Sequence, residues 1–149
     1  MPALNDLSLL IEAAHRSGEI ATSFSGKTAQ RWDKPDEAGP VTEADLAVNA
    51  MLHQTLTKAR PDYGWLSEES DDGPQRLGQR DLFIIDPIDG TRSFIEGSDT
   101  WSHSLAISRN GKITAAVVFL PMLDRLYAAA TGRGATLNGQ PIAVSDIAT

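Results

Sequence analysis

Two carboxylates, a glycine and a threonine lie within the hexapeptide DPIDGT, residues 86–91. Asp86 and Asp89 supply hard oxygen ligands, and Ile88 offers a backbone carbonyl between them. Gly90 lets the backbone approach a ligand closely, and Thr91 adds a hydroxyl group and a backbone N–H. Carboxylate oxygens beside backbone N–H groups suit a Mg²⁺ ion that carries a phosphate. The hexapeptide therefore indicates metal-assisted hydrolysis of a phosphoester.

An apolar run just before the hexapeptide must position it. Residues 82–85, with the sequence LFII, are predicted to form a buried strand. Pro87 has a fixed φ and keeps Asp86 extended. We expect the two carboxylates to emerge where this strand ends and a loop begins. A turn held by hydrogen bonds from the aspartate side chains is the alternative interpretation.

Two further acidic residues follow predicted elements. Asp45 comes three residues after Thr42, a spacing that resembles a capping box at the start of a helix. Glu68 follows the short predicted strand 65–67. Either residue alone could be structural, Asp45 as part of a helix cap and Glu68 as a solvated acid. Together with the two aspartates of DPIDGT they would repel one another in one pocket, and only cations would make that arrangement stable.

The remaining pattern predicts two helices followed by strands. Apolar spacings of three and four indicate one helix over 3–24 and a second from Thr42 to just before Pro61. Further strands are predicted over 104–108, 113–120 and 125–130, with hairpin turns at the Asn-Gly pairs 110–111 and 138–139. Two helices packed on an antiparallel sheet give an α+β fold, in one domain covering residues 1–149.

The composition excludes several classes of protein. The 149 residues carry a net charge of −7, so the basic surface of a nucleic-acid-binding protein is absent. The chain has no cysteine, which excludes disulfides and thiolate ligands. No apolar run approaches the ~20 residues of a membrane span, and no signal peptide is apparent. We expect a cytoplasmic protein that binds neither nucleic-acid polymers nor membranes. The three histidines, His15, His53 and His103, are scattered, and two of them lie on or near apolar faces, where packing is expected rather than metal binding.

Several segments resemble the signatures of one enzyme family. DPIDGT, together with Ser93 and Phe94, is similar to the signature of the inositol monophosphatase family. Upstream, WLSEES at 65–70 resembles the family's Gly-Glu-Glu segment, and VTEAD at 41–45 resembles its Thr-x-x-Asp element. Downstream, residues 126–142 resemble its β-meander. These segments occur in the family's order across nearly the whole chain.

The resemblance implies a fold and a cofactor. The chain would form the N-terminal layer of the family's αβαβα sandwich. The cofactor would be Mg²⁺. Glu68, Asp86 and the Ile88 carbonyl would hold a first ion, and Asp86 and Asp89 would share a second.

The resemblance also implies catalytic roles and a substrate class. Asp45 and Thr91 would orient and deprotonate the attacking water. The backbone N–H groups of Gly90 and Thr91 would bind phosphate oxygens. The substrate would be a small phosphate monoester, either an inositol monophosphate or, as in the bisphosphate nucleotidases, 3′-phosphoadenosine 5′-phosphate, with histidinol phosphate as a further alternative. Inhibition by lithium is implied as well.

The sequence departs from the family pattern in one respect. Family members continue into a second half, whose Trp-Asp-x-Ala-Ala-Gly element completes the second metal site, and the Trp32-Asp33 pair does not match that element. We therefore expect residues 1–149 to be the N-terminal domain, with the C-terminal α/β half outside this chain. An uncovered sheet face would favour a homodimer. The alternative hypothesis is a non-catalytic metal-binding or dimerising module.

Overall fold

A computed structural model describes residues 5–24, 28–33, 40–69 and 80–142 of the chain. Helix α1 spans Asp6–Thr22, and the Asn5 side chain before it accepts a hydrogen bond of 2.8 Å from the backbone N–H of Ser8. Such a cap satisfies a donor that the first turn leaves without a partner. The helix buries a stripe that includes Leu10 and Ala14. The predicted first helix is confirmed within the described residues.

Helix α2 spans Glu43–Ala59 and begins at the capping box that the sequence predicts. The Thr42 hydroxyl accepts hydrogen bonds from the backbone N–H groups of Ala44 and Asp45, and the Asp45 carboxylate accepts one from the backbone N–H of Thr42. Pro61 lies just beyond the end of the helix. These reciprocal bonds fix the Asp45 side chain within the first helical turn.

The described residues form a two-stranded ribbon and one larger sheet. The ribbon joins β1 (Arg31–Asp33) to β2 (Pro40–Thr42). The larger sheet has seven strands in chain order: β3 (Gly64–Ser67), β4 (Asp81–Asp89), β5 (Ser102–Arg109), β6 (Lys112–Leu120), β7 (Arg125–Ala130), β8 (Gly134–Leu137) and β9 (Gln140–Ile142). Strand β3 pairs with β4 in parallel, and every later pair is antiparallel.

The sheet is therefore mixed, and the expectation of a wholly antiparallel sheet is wrong at one edge. A parallel neighbour needs a crossover connection of about a dozen residues or more, and residues 68–80 provide that length between β3 and β4. The alternation of apolar residues in a strand does not distinguish parallel from antiparallel pairing. The α+β class, with helices packed on one sheet, is confirmed.

Both predicted Asn-Gly hairpin turns are confirmed. Asn110 and Gly111 have φ angles of 51° and 83° between β5 and β6, and Asn138 and Gly139 have 51° and 82° between β8 and β9. Two successive left-handed residues match the right-handed twist of the flanking strands, and asparagine and glycine tolerate that conformation best.

The core lies between one face of the sheet and helices α1 and α2. Its largest fully buried apolar side chains are Phe83, Leu10, Leu52, Leu56, Ile85, Leu105 and Ile107. Gly18 allows α1 to lie close to the sheet, because a Cβ atom there would come 2.7 Å from a ring carbon of Phe119. This packing holds β4 and β5 firmly against the helices, so the ends of these strands have fixed positions.

A third helix, α3, spans Thr91–Glu96 and is absent from the sequence prediction. Six residues are too few to show an apolar repeat. The helix is bounded by Gly90 and Gly97, whose φ angles are 89° and 79°. No helix of the described ranges is long and apolar enough to cross a membrane.

Candidate active site at the end of the central strand

Strand β4 continues through the first part of the DPIDGT hexapeptide instead of ending before it. Asp86 pairs with Ser104 of β5 and Asp89 pairs with Ser102, which leaves one extra residue on β4. Pro87 lacks the N–H that a regular ladder requires, and an extra residue produces a β-bulge that bends the strand. The expectation that the strand ends before Asp86 is therefore wrong. The two carboxylates lie within the strand, on either side of its bulge.

Asp45 is fully buried and holds the hydroxyl group of Thr91. Its Oδ1 accepts a hydrogen bond of 2.9 Å from Thr91 Oγ1, and its Oδ2 accepts bonds of 2.6 and 2.9 Å from the hydroxyl and backbone N–H of Thr42. Thr91 Oγ1 also lies 3.2 Å from the carbonyl oxygen of Ile88. The structure thus brings together three predicted site residues, which belong to α2, α3 and β4.

Glu68 and Asp86 follow paired residues of two parallel strands. Ser67 pairs with Ile85, and the backbone N–H of Glu68 donates a hydrogen bond of 3.1 Å to the Ile85 carbonyl. The carboxyl ends of parallel neighbours meet at the same edge of a sheet, so Glu68 lies next to Asp86 along the backbone. Ser67 Oγ donates a hydrogen bond of 2.6 Å to Asn49 Oδ1. That bond anchors the end of β3 to α2.

The expected metal ligands are neighbours along the backbone, but their side chains do not converge. Within the residues that the structure describes, no three Asp, Glu, His or Cys side chains are close enough together to hold an ion. Glu68 and Asp89 are exposed, so their side chains can turn without disturbing the core. The donor set consists of oxygens, which Mg²⁺ prefers. The residues fit Mg²⁺ by donor type and by the placement of their strands, and the individual ligand roles stay predictions.

Gly90 has a backbone conformation that favours glycine. Its φ is 89°, and a Cβ atom there would also lie 3.4 Å from the Cα atom of Trp101. Its carbonyl accepts a hydrogen bond of 3.0 Å from the backbone N–H of Phe94 in the first turn of α3. A side chain at this position would strain the turn that carries Thr91 to Asp45. The role of Gly90 toward phosphate stays a prediction.

His103 supports the hexapeptide from β5, a role that the sequence does not reveal. Its side chain is fully buried, and Nδ1 lies 2.5 Å from the carbonyl oxygen of Pro87. Burial lowers the pKa of His103 to about 4, although the hydrogen bond to Pro87 acts in the opposite direction. The ring is therefore neutral at pH 7, and Nδ1 carries the hydrogen because a carbonyl only accepts. His103 is buried, whereas His15 and His53 are exposed and each contacts one aromatic ring.

A cavity of about 410 Å³ lies beside α3. Its lining consists of Arg31, Trp32, Asp33, Arg92, Ile95 and Glu96. Two arginines stand against two carboxylates, so the lining carries no net charge. Of these residues, Arg92 directly follows Thr91 in the sequence, and none of the lining residues is an expected metal ligand.

Comparisons with known proteins establish the family. The sequence profile of the inositol monophosphatase family matches residues 5–148. The chain belongs to the inositol monophosphatase family. The resemblance carried by DPIDGT and its flanking segments is thereby confirmed.

Relatives in the inositol monophosphatase family support the same assignment. A histidinol-phosphatase of Chlorobaculum parvum is 40% identical over 144 residues, which covers 96% of this chain and 54% of the relative. An inositol-1-monophosphatase of Rhizobium meliloti is 35% identical and covers 93% of this chain and 52% of the relative. The IMPase structure from Thermotoga maritima superposes with a TM-score of 0.85 at 32% identity, covering 96% of this chain and 55% of that one. The chain thus shares the family's fold and spans about half the length of these relatives.

Proposed function

We propose that this chain carries the metal-binding and water-activating residues of a Mg²⁺-dependent phosphatase for small phosphate monoesters. The observation that supports this most is the Thr91 hydroxyl, which lies 2.9 Å from Asp45 Oδ1 and 3.2 Å from the Ile88 carbonyl. One hydroxyl thereby links a buried carboxylate to an expected metal ligand. Membership of the inositol monophosphatase family supports the same chemistry.

Asp45 is the proton acceptor in the proposed reaction. In the described part of the chain, its hydrogen bonds come from the hydroxyl and backbone N–H of Thr42 and the hydroxyl of Thr91, which are all uncharged. Each of these groups donates a hydrogen, so both carboxylate oxygens of Asp45 act as acceptors. Thr91 Oγ1 donates its hydrogen to Asp45, so its lone pairs accept a hydrogen from the attacking water. This relay orients the water and gives its proton a route to Asp45.

Mg²⁺ would make a water molecule more acidic and would stabilise negative charge on the leaving oxygen. Its proposed ligands are Glu68, Asp86 and the Ile88 carbonyl for a first ion, and Asp86 and Asp89 for a second. The backbone N–H groups of Gly90 and Thr91 would hold phosphate oxygens. Because the chain spans about half the length of its relatives, the proposal includes a further ligand of the second ion from sequence beyond these 149 residues.

The proposed substrate is a phosphate ester of a small alcohol or nucleotide. Relatives named as a histidinol-phosphatase and an inositol-1-monophosphatase support this class. The compounds to compare are myo-inositol monophosphate, histidinol phosphate and 3′-phosphoadenosine 5′-phosphate. The substrate with the highest kcat/KM identifies the branch of the family.

Phosphate release by the purified protein, whose intact mass is determined first, tests this function. We expect release to require Mg²⁺, to stop when a chelator is added, and to be inhibited by lithium. Asp86→Asn should lower kcat/KM by about 100-fold or more, because both proposed ions lose a ligand. Asp81→Asn is the matched control, because Asp81 lies at the other end of β4 and is bound by Arg80 and Arg109.

Two results would contradict the proposal. Equal activity of wild type and Asp86→Asn would exclude the assigned ligand. Metal binding without turnover of any of the three substrates would favour a non-catalytic metal-binding or dimerising module. Sedimentation of the same sample tests the expected homodimer.

A further inference from the structure

The bulge in β4 leaves two residues of the hexapeptide outside the regular ladder. Asp86 pairs with Ser104 and Asp89 with Ser102, so neither Pro87 nor Ile88 has a paired residue on β5. His103 is the single β5 residue between those two pairs. Its main chain pairs with Phe119 on the other side, in β6. The side chain of His103 reaches the bulge, because its Nδ1 lies 2.5 Å from the carbonyl oxygen of Pro87.

The His103 ring is held rigidly against the Pro87 carbonyl. Its Nδ1 lies 2.5 Å from that oxygen, and the ring contacts Trp101 and Phe119 at centroid distances of 5.5 and 6.4 Å. No atom of the side chain reaches solvent to a measurable extent. A ring packed on two aromatic neighbours has little freedom to turn, so its N–H points at the Pro87 oxygen in a fixed direction.

Packing alone does not favour a histidine at this position. In the described residues, His103 Nε2 is a buried nitrogen with no hydrogen-bond partner. Burying an unsatisfied polar group destabilises the fold, whereas leucine would fill similar space without that penalty. The hydrogen bond to the Pro87 carbonyl is the polar contact that histidine offers here and leucine does not. The bond must therefore serve the segment that contains Pro87.

The Pro87 carbonyl and the Ile88 carbonyl each lie close to a polar side-chain group. His103 binds the first, and the Thr91 hydroxyl lies 3.2 Å from the second. The peptide unit that contains the Pro87 carbonyl is planar, so fixing its oxygen also fixes the backbone entering Ile88. We propose that His103 is a positioning residue, whose Nδ1–H binds the Pro87 carbonyl and thereby aims the Asp86 carboxylate and the Ile88 carbonyl into the site. This inference rests on the proposed function, because Asp86 and Ile88 are proposed metal ligands there.

A pair of variants separates the hydrogen bond from packing. His103→Asn keeps an N–H donor close to the place of Nδ1, and His103→Leu keeps the volume but has no donor. Mn²⁺ is the probe, and its dissociation constant is measured by electron paramagnetic resonance. We expect His103→Leu to weaken Mn²⁺ binding by about 10–100-fold, the usual effect of removing a group that orients a metal ligand, and His103→Asn to weaken it by less than about threefold.

The NMR chemical shift of the Ile88 backbone amide provides a second measurement, which requires neither metal nor turnover. In the metal-free protein it should shift in His103→Leu and stay near its wild-type position in His103→Asn. Equal Mn²⁺ affinity and equal Ile88 shifts in the two variants would overturn the proposal. A loss of melting temperature alone, with unchanged Mn²⁺ affinity, would show a purely structural role and would overturn it as well.

Two further measurements cover a variant that does not fold and a wild-type protein without turnover. If His103→Leu fails to fold, His103→Gln replaces it, because its amide N–H lies one bond further out and cannot take the place of Nδ1. In that case His103→Gln should bind Mn²⁺ more weakly than His103→Asn. Phosphate release is measured separately. A wild-type protein without turnover contradicts the proposed function, while the Mn²⁺ affinities and the Ile88 shift still decide the role of His103.

Discussion

Two buried aspartates, one near each end of the central strand, are held in opposite ways. Asp81 is the first residue of β4 and accepts hydrogen bonds from Arg109 Nε at 2.7 Å and from Arg80 Nε at 3.3 Å. Asp45 lies near the other end, where its hydrogen bonds come from Thr42 and Thr91. Burial acts to raise the pKa of Asp81, but the hydrogen bonds and charges of Arg109, and then of Arg80, outweigh burial and lower it.

The difference separates an aspartate that supports the structure from one that we propose takes part in the reaction. The two arginines cancel the charge of Asp81 locally, so that carboxylate supports the structure. Asp45 is instead oriented by two hydroxyl groups and one backbone N–H, which carry no charge. Buried ionisable side chains that no charged group binds are often found at functional sites. The end of β4 near Asp45 is accordingly where we place the chemistry.

The largest effect should come from Asp45→Asn. Asparagine keeps the shape of the side chain and can still accept a hydrogen bond from Thr42, but it cannot take up a proton. We expect kcat/KM for the best substrate to fall by about 10²–10⁴-fold, the range that a general base contributes. The melting temperature should fall by no more than about 4 °C. An active Asp45→Asn protein would show that this carboxylate is only part of a helix cap.

A smaller effect should appear in the way the free energy of unfolding depends on pH. The group responsible is His103, which is buried and neutral at pH 7. Its pKa is about 4 in the folded protein against about 6.5 when unfolded. The unfolded state therefore binds a proton more readily. His103 contributes its full stability above about pH 6.5 and loses it as the pH falls toward about 4, at most about 3 kcal/mol in total. Urea unfolding across this range measures it.

The matched control for the pH range between about 4 and 6.5 is His103→Asn, because asparagine does not titrate. Subtracting its unfolding free energy from that of the wild type at each pH isolates the histidine. A difference that does not change between pH 4 and 6.5 would contradict a folded-state pKa of about 4.

Asp81→Asn should destabilise the protein without reducing its activity. The change removes the charge that Arg80 and Arg109 bind, and we expect a loss of about 1–2 kcal/mol, since both arginines are partly exposed. The pKa of Asp81 is lowered in the folded state. Its contribution is therefore present above the unfolded pKa of about 3.9 and disappears as the pH falls through the lower folded value. If Asp81→Asn were inactive but as stable as the wild type, Asp81 would belong to the reaction and not to the structural support.

The smallest effect should follow Arg80→Gln. The Arg80 side chain is 65% exposed and its bond to Asp81 is the longer of the two, at 3.3 Å. We expect a loss of less than about 0.5 kcal/mol, as for most exposed ion pairs. Arg109→Gln should cost more, because its bond is 2.7 Å long and its side chain is 48% exposed. Equal losses in the two variants would show that distance and exposure do not decide the contribution of each arginine.

Short-range patterns in the sequence predicted much of the fold. The Thr42–Asp45 capping box and the two Asn-Gly turns depend on residues within a few positions of each other, and each is confirmed. The apolar run before Asp86 correctly indicated a buried strand. The contact between Asp45 and Thr91 spans 46 residues, yet it was expected, because the family resemblance assigned both residues to one reaction.

Features that depend on the register of the whole sheet were not predictable. The bulge between Asp86 and Asp89 arises from how β4 meets β5, and a strand's own sequence does not contain its partner's register. The parallel pairing of β3 follows from a crossover connection rather than from any pattern within β3. The bond from His103 to Pro87 joins residues 16 positions apart and lies at the bulge. For these reasons the sequence did not reveal the contact of His103 with the hexapeptide.

The most direct test of the difference between the two ends of β4 is the broadening of backbone amide NMR signals by Mn²⁺. If one end of β4 binds metal and the other is a structural ion pair, Mn²⁺ should first broaden the signals of Glu68 and residues 86–91. The signals of Asp81 and Arg109 should remain sharp, and Asp86→Asn should abolish the selective broadening. Broadening centred on Asp81, or an unchanged pattern in Asp86→Asn, would contradict the account.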